Sequence, residues 1–323
     1  MALSGINTWT LTRNEIILAA MRKIGVINSL STPETFEYTD AAIALNALVK
    51  EWSAEGAGLW LRQSTVLIIE AGRQRYLLGP SGDHAFAQTG LATNKLAGNE
   101  ASASTVMDIA DADWVDYAGK VTAKPTSGNI GVRLDSGVLH WTTIAGVGAN
   151  TVTLTAGLPS TAAVDSMVYF HADYVSRPLR VVSCHSMDTA GNAREVALIG
   201  RADYEMLSQK SQDGDPQQAH FDPQMTNACL LVWPVTPGAA IDRLVMTTEH
   251  YPDDFTAATD NPHFPSEWVN ALIWGLAADL APEYGIDLAA QRMLFERAEV
   301  SRMRVLNTQD RENASVTFGM SGS

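Results

Sequence analysis

The feature that most constrains this chain is where its hydrophobic periodicities lie: helical stripes occur near both ends and are absent between about residues 84 and 173. Near the start, Thr12-Arg13-Asn14-Glu15 fits a capping box, in which a hydroxyl caps the first turn and a carboxylate reaches back. Ile17, Met21 and Ile24 then share one face with Ala20 beside them, and Gly25 can stop the helix in a left-handed conformation. Ser31-Thr32-Pro33-Glu34 announces a second helix, expected to form fully only after Thr39-Asp40, with Ala41, Leu45, Leu48 and Trp52 as its buried stripe and Gly56 and Gly58 at its end. Two amphipathic helices with a short joint predict a helical hairpin. Near the other end, Asn261-Pro262-His263-Phe264-Pro265-Ser266-Glu267-Trp268 reads as a helix start. The small residues Ala271, Gly275, Ala277 and Ala278 that follow let another helix approach closely. Pro282 to Gly285 breaks this helix, Asp287 is expected to cap a last one carrying Leu288, Leu294, Ala298 and Met303, and the residues after Asn307 read as an extended tail.

Between these ends the pattern is that of strands. Thr65 to Ile69 and Gln74 to Leu78, separated by Ala71-Gly72-Arg73, predict a β-hairpin. From about His84 to Asp173 short β-prone runs recur: Thr105–Met107, Ile130–Leu134, Val138–Thr142, Thr151–Leu154 and Met167–Phe170. Short strands with frequent turn residues predict a small barrel or sandwich. Arg180–Cys184, Glu195–Ile199, Cys229–Trp233 and Asp242–Thr248 are further strands, and Lys210 to Asp222 reads as a loop turning at Asp213-Gly214-Asp215-Pro216. The expected fold class is α+β: a helical-bundle core with β-strands in its middle and an inserted small all-β domain, either barrel or sandwich. The expected divisions are 1–84 (helical hairpin and β-hairpin), 85–175 (inserted β domain), 176–306 (core continuation with C-terminal helices) and 307–323 (extended tail).

Composition then removes several function classes. With 46% hydrophobic and 18% charged residues the chain can bury a sizeable core. Its 36 acidic against 22 basic residues give a net charge of -14, which repels phosphate and argues against sequence-specific DNA binding. The surplus carboxylates keep the protein soluble; a sharper reading lets some of them line a channel through which DNA slides without sticking. Cys184 and Cys229 lack metal-ligand spacing and read as reduced thiols. Met1 to Asn14 carry no basic region followed by an apolar one, and Trp268 to Ala281 is too short and polar to span a bilayer, so no membrane association is expected.

No catalytic, cofactor or metal site is expected. The seven histidines form no HxxxH or HxH pair. Cys184 and His185 would point to opposite faces of a strand. Asp213, Asp215 and Asp222 lack the spacing of an EF-hand and read as a solvated turn. Gly79-Pro80-Ser81-Gly82 lacks the lysine of a phosphate loop. Trp52, Trp60, Trp233, Trp268 and Trp274 are expected in the core, while Trp114 and Trp141 offer conceivable sugar-stacking faces.

Three segments carry a resemblance. They are Leu45-Asn46-Ala47-Leu48 with Trp52 and Gly56; Arg177-Pro178-Leu179-Arg180 with Arg201-Ala202-Asp203-Tyr204-Glu205 and Trp233-Pro234; and Phe264-Pro265-Ser266-Glu267-Trp268 through Leu280-Ala281-Pro282-Glu283-Tyr284-Gly285. Together the chain resembles the head-to-tail adaptor, or connector, proteins of short-tailed (podovirus-type) bacteriophages. A weaker likeness to β modules of phage structural proteins rests on Gly131-Val132-Arg133-Leu134-Asp135-Ser136-Gly137 and His140-Trp141-Thr142-Thr143. The resemblance implies a non-enzymatic virion protein at the head–tail junction, made in the host cytoplasm. It would form a homo-oligomeric ring, usually dodecameric, that binds the portal protein above and a tail nozzle or tail tube protein below. It would retain and conduct DNA through non-specific contact. It also implies a ring-wall helix carrying Trp268, Leu272, Leu276 and Leu280, and a portal-docking tail at Ser315, Val316, Thr317, Phe318 and Met320. The helix from about Pro265 to Ala281 would run on the order of 25 Å, long enough to form a wall. The alternatives are a carbohydrate-binding or fibre-attachment module carried by the β insertion, and a cell-wall hydrolase with an unrecognised carboxylate pair.

Overall fold

The computed structural model describes residues 9–28, 30–54, 61–111, 113–238 and 241–309. It is a mixed α and β protein with several sheets. The chain separates into two compact units: residues 1–61 with 251–323, and the intervening 62–250.

The first unit is helical. Its described elements are α1 (Arg13–Ile24), α2 (Thr35–Ala54), α4 (Val269–Leu280), led in by a 3-10 turn at Ser266–Trp268, and α5 (Leu288–Gln309). The predicted capping box forms: the Thr12 backbone N–H donates to the Glu15 carboxylate at 2.8 Å. Gly25 takes φ +85° and its N–H returns to the Met21 carbonyl, closing α1 as expected. The second helix is already formed at Thr35, ahead of the expected Thr39-Asp40, because the Glu37 carboxylate accepts the Glu34 N–H at 2.7 Å and secures the first turn. Asp287 caps α5 by accepting the Ala290 N–H at 3.1 Å. The core gathers Ile17, Met21, Leu45, Trp52, Leu272 and Leu276 with the tilted Trp52–Trp268 pair, whose ring centroids are 5.7 Å apart. Close approach of α2 and α4 depends on Gly275, since a Cβ there would lie 2.9 Å from Trp52 Cζ2 and 3.0 Å from Leu48 Cδ2. Asn46 ties α2 to the 251–265 segment through both backbone groups of Phe255.

The second unit is built on three sheets. The first orders β13 (Ala193–Glu195), β12 (Arg180–Asp188), β17 (Ile241–Glu249), β1 (Arg62–Ile68) and β3 (Ala85–Ala87). The second has eight strands, all from Ala92 to His171: β5 (Val106–Asp108), β10 (Thr151–Leu154), β9 (Leu139–Val147), β8 (Asn129–Arg133), β11 (Met167–His171), β4 (Ala92–Lys95), β6 (Trp114–Asp116) and β7 (Val121–Thr122). It encloses its own apolar cluster, with Trp114, Ile130, Val132 and Val168 fully buried. The third sheet orders β14 (Ala197–Leu198), β15 (Gln218–Asp222), β16 (Ala228–Trp233) and β2 (Arg75–Leu78), with the short α3 (Arg201–Glu205) between β14 and β15.

Two expectations are corrected here. The segments 65–69 and 74–78 do not form a hairpin: β1 pairs with β17 and β3, while β2 pairs with β16 in another sheet. The reason is that β1 is apolar on both faces. Val66 and Ile68 bury into one cluster and Leu67 into another, so the strand needs a partner on each edge and cover on each side. The predicted loop 210–222 also contains a strand: Gln218 to Asp222 pairs with Cys229 to Trp233 and buries Ala219 fully. The unit boundaries at 61/62 and 250/251 differ from those expected at 84/85 and 175/176. The strands before residue 85 and after residue 175 share sheets and apolar clusters, with β1 and β12 both alongside β17.

Candidate interaction surface

The helical unit leaves large apolar side chains in solvent. On α5, Leu288, Met293, Phe295, Val300 and Met303 are between 44% and 65% exposed, and on α2 Phe36 and Ile43 are each 65% exposed. One stripe of α5 faces inward, where Leu294 and Ser301 are buried and Ala298 is half-buried against Ala278 and Ala281 of the α4 end. The rest of the helix circumference carries the exposed apolar residues among Arg292, Glu296, Arg297, Glu299 and Arg304. A solvated amphipathic helix normally keeps its outer face polar, so large apolar groups here single this face out as a candidate contact surface.

Charge is distributed unevenly on either side of α5. On one side the half-buried Trp274 ring lies between two cations, with Lys23 Nζ at 4.9 Å and the Arg297 guanidinium at 5.7 Å from its centroid. A cavity of about 450 Å³ opens beside it, lined by Trp274, Met293, Leu294, Glu296, Arg297 and Val300. On the other side a groove of about 160 Å³ runs past Glu51, Asp279, Phe295 and Glu299. Partial burial, with repulsion from Glu51 and Glu283, raises the Asp279 carboxyl above its ordinary value. Glu299 reaches Arg302 at 3.6 Å, and Arg302 in turn covers the Trp52 ring.

The residues expected to form a ring wall are not on this surface. Trp268, Leu272, Leu276 and Leu280 are at most 1% exposed and belong to the unit's own core rather than to an exposed face. The expected docking tail, Ser315, Val316, Thr317, Phe318 and Met320, lies outside the described residues. Of the tryptophans expected in the core, Trp52 and Trp268 are buried, whereas Trp274 and Trp233, whose indole N–H donates to the Gln209 carbonyl at 2.8 Å, are only half-buried, and Trp60 lies outside the described residues.

In the sheet-built unit the polar groups find one another. Asp242 is fully buried, accepts from the Tyr169 hydroxyl, and lies 3.4 Å from Arg133 and 3.2 Å from Arg243. Burial would raise the Glu249 carboxyl, but hydrogen bonds from Arg180 and Arg62 hold it below its ordinary range. His250 bridges the Ser176 and Thr248 hydroxyls at 3.0 and 2.7 Å. His84 Nδ1 and His171 Nε2 share a hydrogen bond of 2.8 Å, with His84 stacked on Trp141 at 4.0 Å and His171 stacked on Phe86 at 4.4 Å. Burial, aided by the neighbouring His171, pulls His84 down to about 3, and burial pulls His171 down to about 4, so both rings are neutral near pH 7. The two histidines lie 87 positions apart, and no spacing rule in the sequence links them.

These arrangements hold strands in place rather than present reactive groups. Cys184 is buried with its thiol pushed up to about 12, which makes it a poor nucleophile. His185 is on the exposed face of the same strand, as the alternation requires. Asp215 pairs with Arg194 at 2.5 Å and Asp222 lies 3.8 Å from Arg201. Among the described residues no three His, Cys, Asp or Glu side chains come together as a metal site, and no helix is long and apolar enough to cross a membrane. No protein-family model matches the chain, and no match to it is found among curated proteins.

Proposed function

We propose that this chain is a structural virion protein, the head-to-tail adaptor of a short-tailed phage, with a helical-bundle core and an inserted all-β domain. In this reading copies of the chain close into a ring, usually dodecameric, beneath the portal protein at the neck of the particle. The ring completes the head, retains DNA and conducts it through non-specific contact, and offers a platform to a tail nozzle or tail tube protein. It works without catalysis, cofactor or metal. The observation that carries the reading is the exposed apolar face of α5 and α2 on a unit whose core is otherwise closed. A ring subunit needs such a rigid wedge with uncovered faces. The net charge of -14 suits a lumen past which DNA slides.

The carbohydrate-binding alternative draws less support. Trp114 is fully buried and the face of Trp141 is taken by His84. The deciding experiment is to measure the mass of the full chain alone and with its portal, and to locate it in particles by electron microscopy. A ring bound to the portal at the neck is expected. A chain that never joins the portal, or that is found elsewhere in the particle, would overturn the reading.

A further inference from the structure

The apolar face described above does not by itself say what covers it, but its charge pattern does. At 100° per residue, Met293, Arg297 and Val300 cluster roughly 150° around α5 from Phe295 and Glu299. The first cluster joins Trp274 and its two flanking cations, Lys23 and Arg297. Glu296 is the carboxylate on that side. The second cluster joins Glu51 and Asp279, where carboxylates crowd one another, and Arg302, 3.6 Å from Glu299, is the cation on that side. The unit thus has a cationic apolar flank and an anionic apolar flank on opposite sides of one helix.

We infer that the occupant of each flank is a second copy of this chain, docked head to tail: the Glu51–Asp279–Glu299 side around Phe295 of one copy sits on the Lys23–Arg297 side around Trp274 of the next. This rests on the ring-subunit reading and names the surfaces that meet. Three features favour it over a different partner. The two flanks are opposite in charge, so each supplies what the other lacks. Both are apolar at the centre, with charge around it, which is the anatomy of a specific interface. They are also different faces, so pairing one with the other leaves a free flank at each end of the pair and propagates, whereas a self-complementary face would stop at a dimer. Docking would bring Lys23 and Arg297 against the carboxylates around Asp279 and relieve the repulsion there.

The experiment is a charge swap in the full-length chain, read by sedimentation velocity across a range of concentrations and salt. One variant carries Lys23→Glu with Arg297→Glu, the other Glu51→Lys with Glu299→Lys. The wild type is expected to associate, more weakly at high salt. Each variant alone should associate at least about tenfold more weakly, because its two flanks now carry like charge. Mixing the two variants should restore assembly with both in equal amount, since every junction again joins opposite charges. Circular dichroism and thermal melting of each variant should match the wild type, all four positions being exposed, and a milder Lys23→Gln with Arg297→Gln chain should fall between. Assembly of either variant to the wild-type extent, or failure of the mixture to recover, would overturn the docking while leaving the ring reading intact. A wild-type chain that stays monomeric both alone and with the portal would overturn both.

Discussion

The two units solve the same problem, how to deal with polar and apolar groups that neighbours must satisfy, in opposite ways. The sheet-built unit turns its charges inward and pairs them: Arg133 and Arg243 with Asp242, and Arg62 and Arg180 with Glu249. The helical unit buries an almost wholly apolar core and leaves charges and large apolar side chains together on its outside. A buried ion pair adds little net stability as a pair, but removing one partner leaves the other buried and uncompensated. An apolar core topped by an apolar exterior instead leaves surface that a neighbour can cover. The contrast teaches that internal charge pairing and exposed apolar surface are assigned to different parts of the chain.

The contrast is broken most severely at Asp242. Replacement by Leu leaves Arg133 buried with its main countercharge gone. It should destabilise the sheet-built unit by about 3–5 kcal/mol, seen as a lower denaturant midpoint, while the helical signal is retained. A midpoint within experimental error of the wild type would show that the network is incidental. Next in size is Gly275→Ala. The added methyl meets the Trp52 ring and Leu48, so a loss of about 1–3 kcal/mol is expected in the helical unit, read from helical ellipticity on heating. An unchanged melt would mean that α2 and α4 are free to move apart.

The third test sharpens the contrast through pH. His84 and His171 are held neutral by burial, down to about 3 and about 4 in the fold, against about 6.5 in the unfolded chain. As pH falls from about 6.5 the unfolded chain takes up protons first. Their contribution is therefore complete above that pH and is lost between about 6.5 and about 3, at up to about 1.4 kcal/mol per pH unit for each ring. His250, also lowered to about 4 mainly by burial, acts in the same direction. His171→Gln should flatten the fall of melting temperature with acidity over this window. A slope equal to that of the wild type would remove the histidine pair as its source.

How much was legible follows from the range of the interactions. The helices could be read because their signals are local. Thr12 and Glu15, Gly25, and Asp287 with Ala290 act within a few residues, and the inward stripes repeat each turn. Most strands were also visible as β-branched runs, yet their partners were not. Val66 faces Val245 across β1 and β17, a pairing that leaves no local trace, and so a hairpin was expected where two sheets diverge. The strand at Gln218–Asp222 does alternate polar and apolar residues, but it is only five residues long and follows a turn rich in Asp and Gly, which outweighs so short a pattern. At the interaction surface, the resemblance alone makes a wall of Trp268, Leu272, Leu276 and Leu280, which are apolar and periodic. The same pattern is what a core stripe looks like, and only burial tells the two apart. Met303 and Leu288 were placed on the last helix correctly, but their exposure, like the two oppositely charged flanks, depends on residues from α1, α2 and α4 brought to the same place.

The register of β1 against β17 has a last consequence. Arg62 stands directly opposite Glu249, so the chain crosses into the sheet-built unit and returns from it at neighbouring points, about 5 Å apart across one ladder rung. A polypeptide arranged in this way is modular in the manner of a plug-in cassette. Whatever is fastened between those two points can lengthen, shrink or be exchanged over evolutionary time without altering the distance that the flanking helices must bridge.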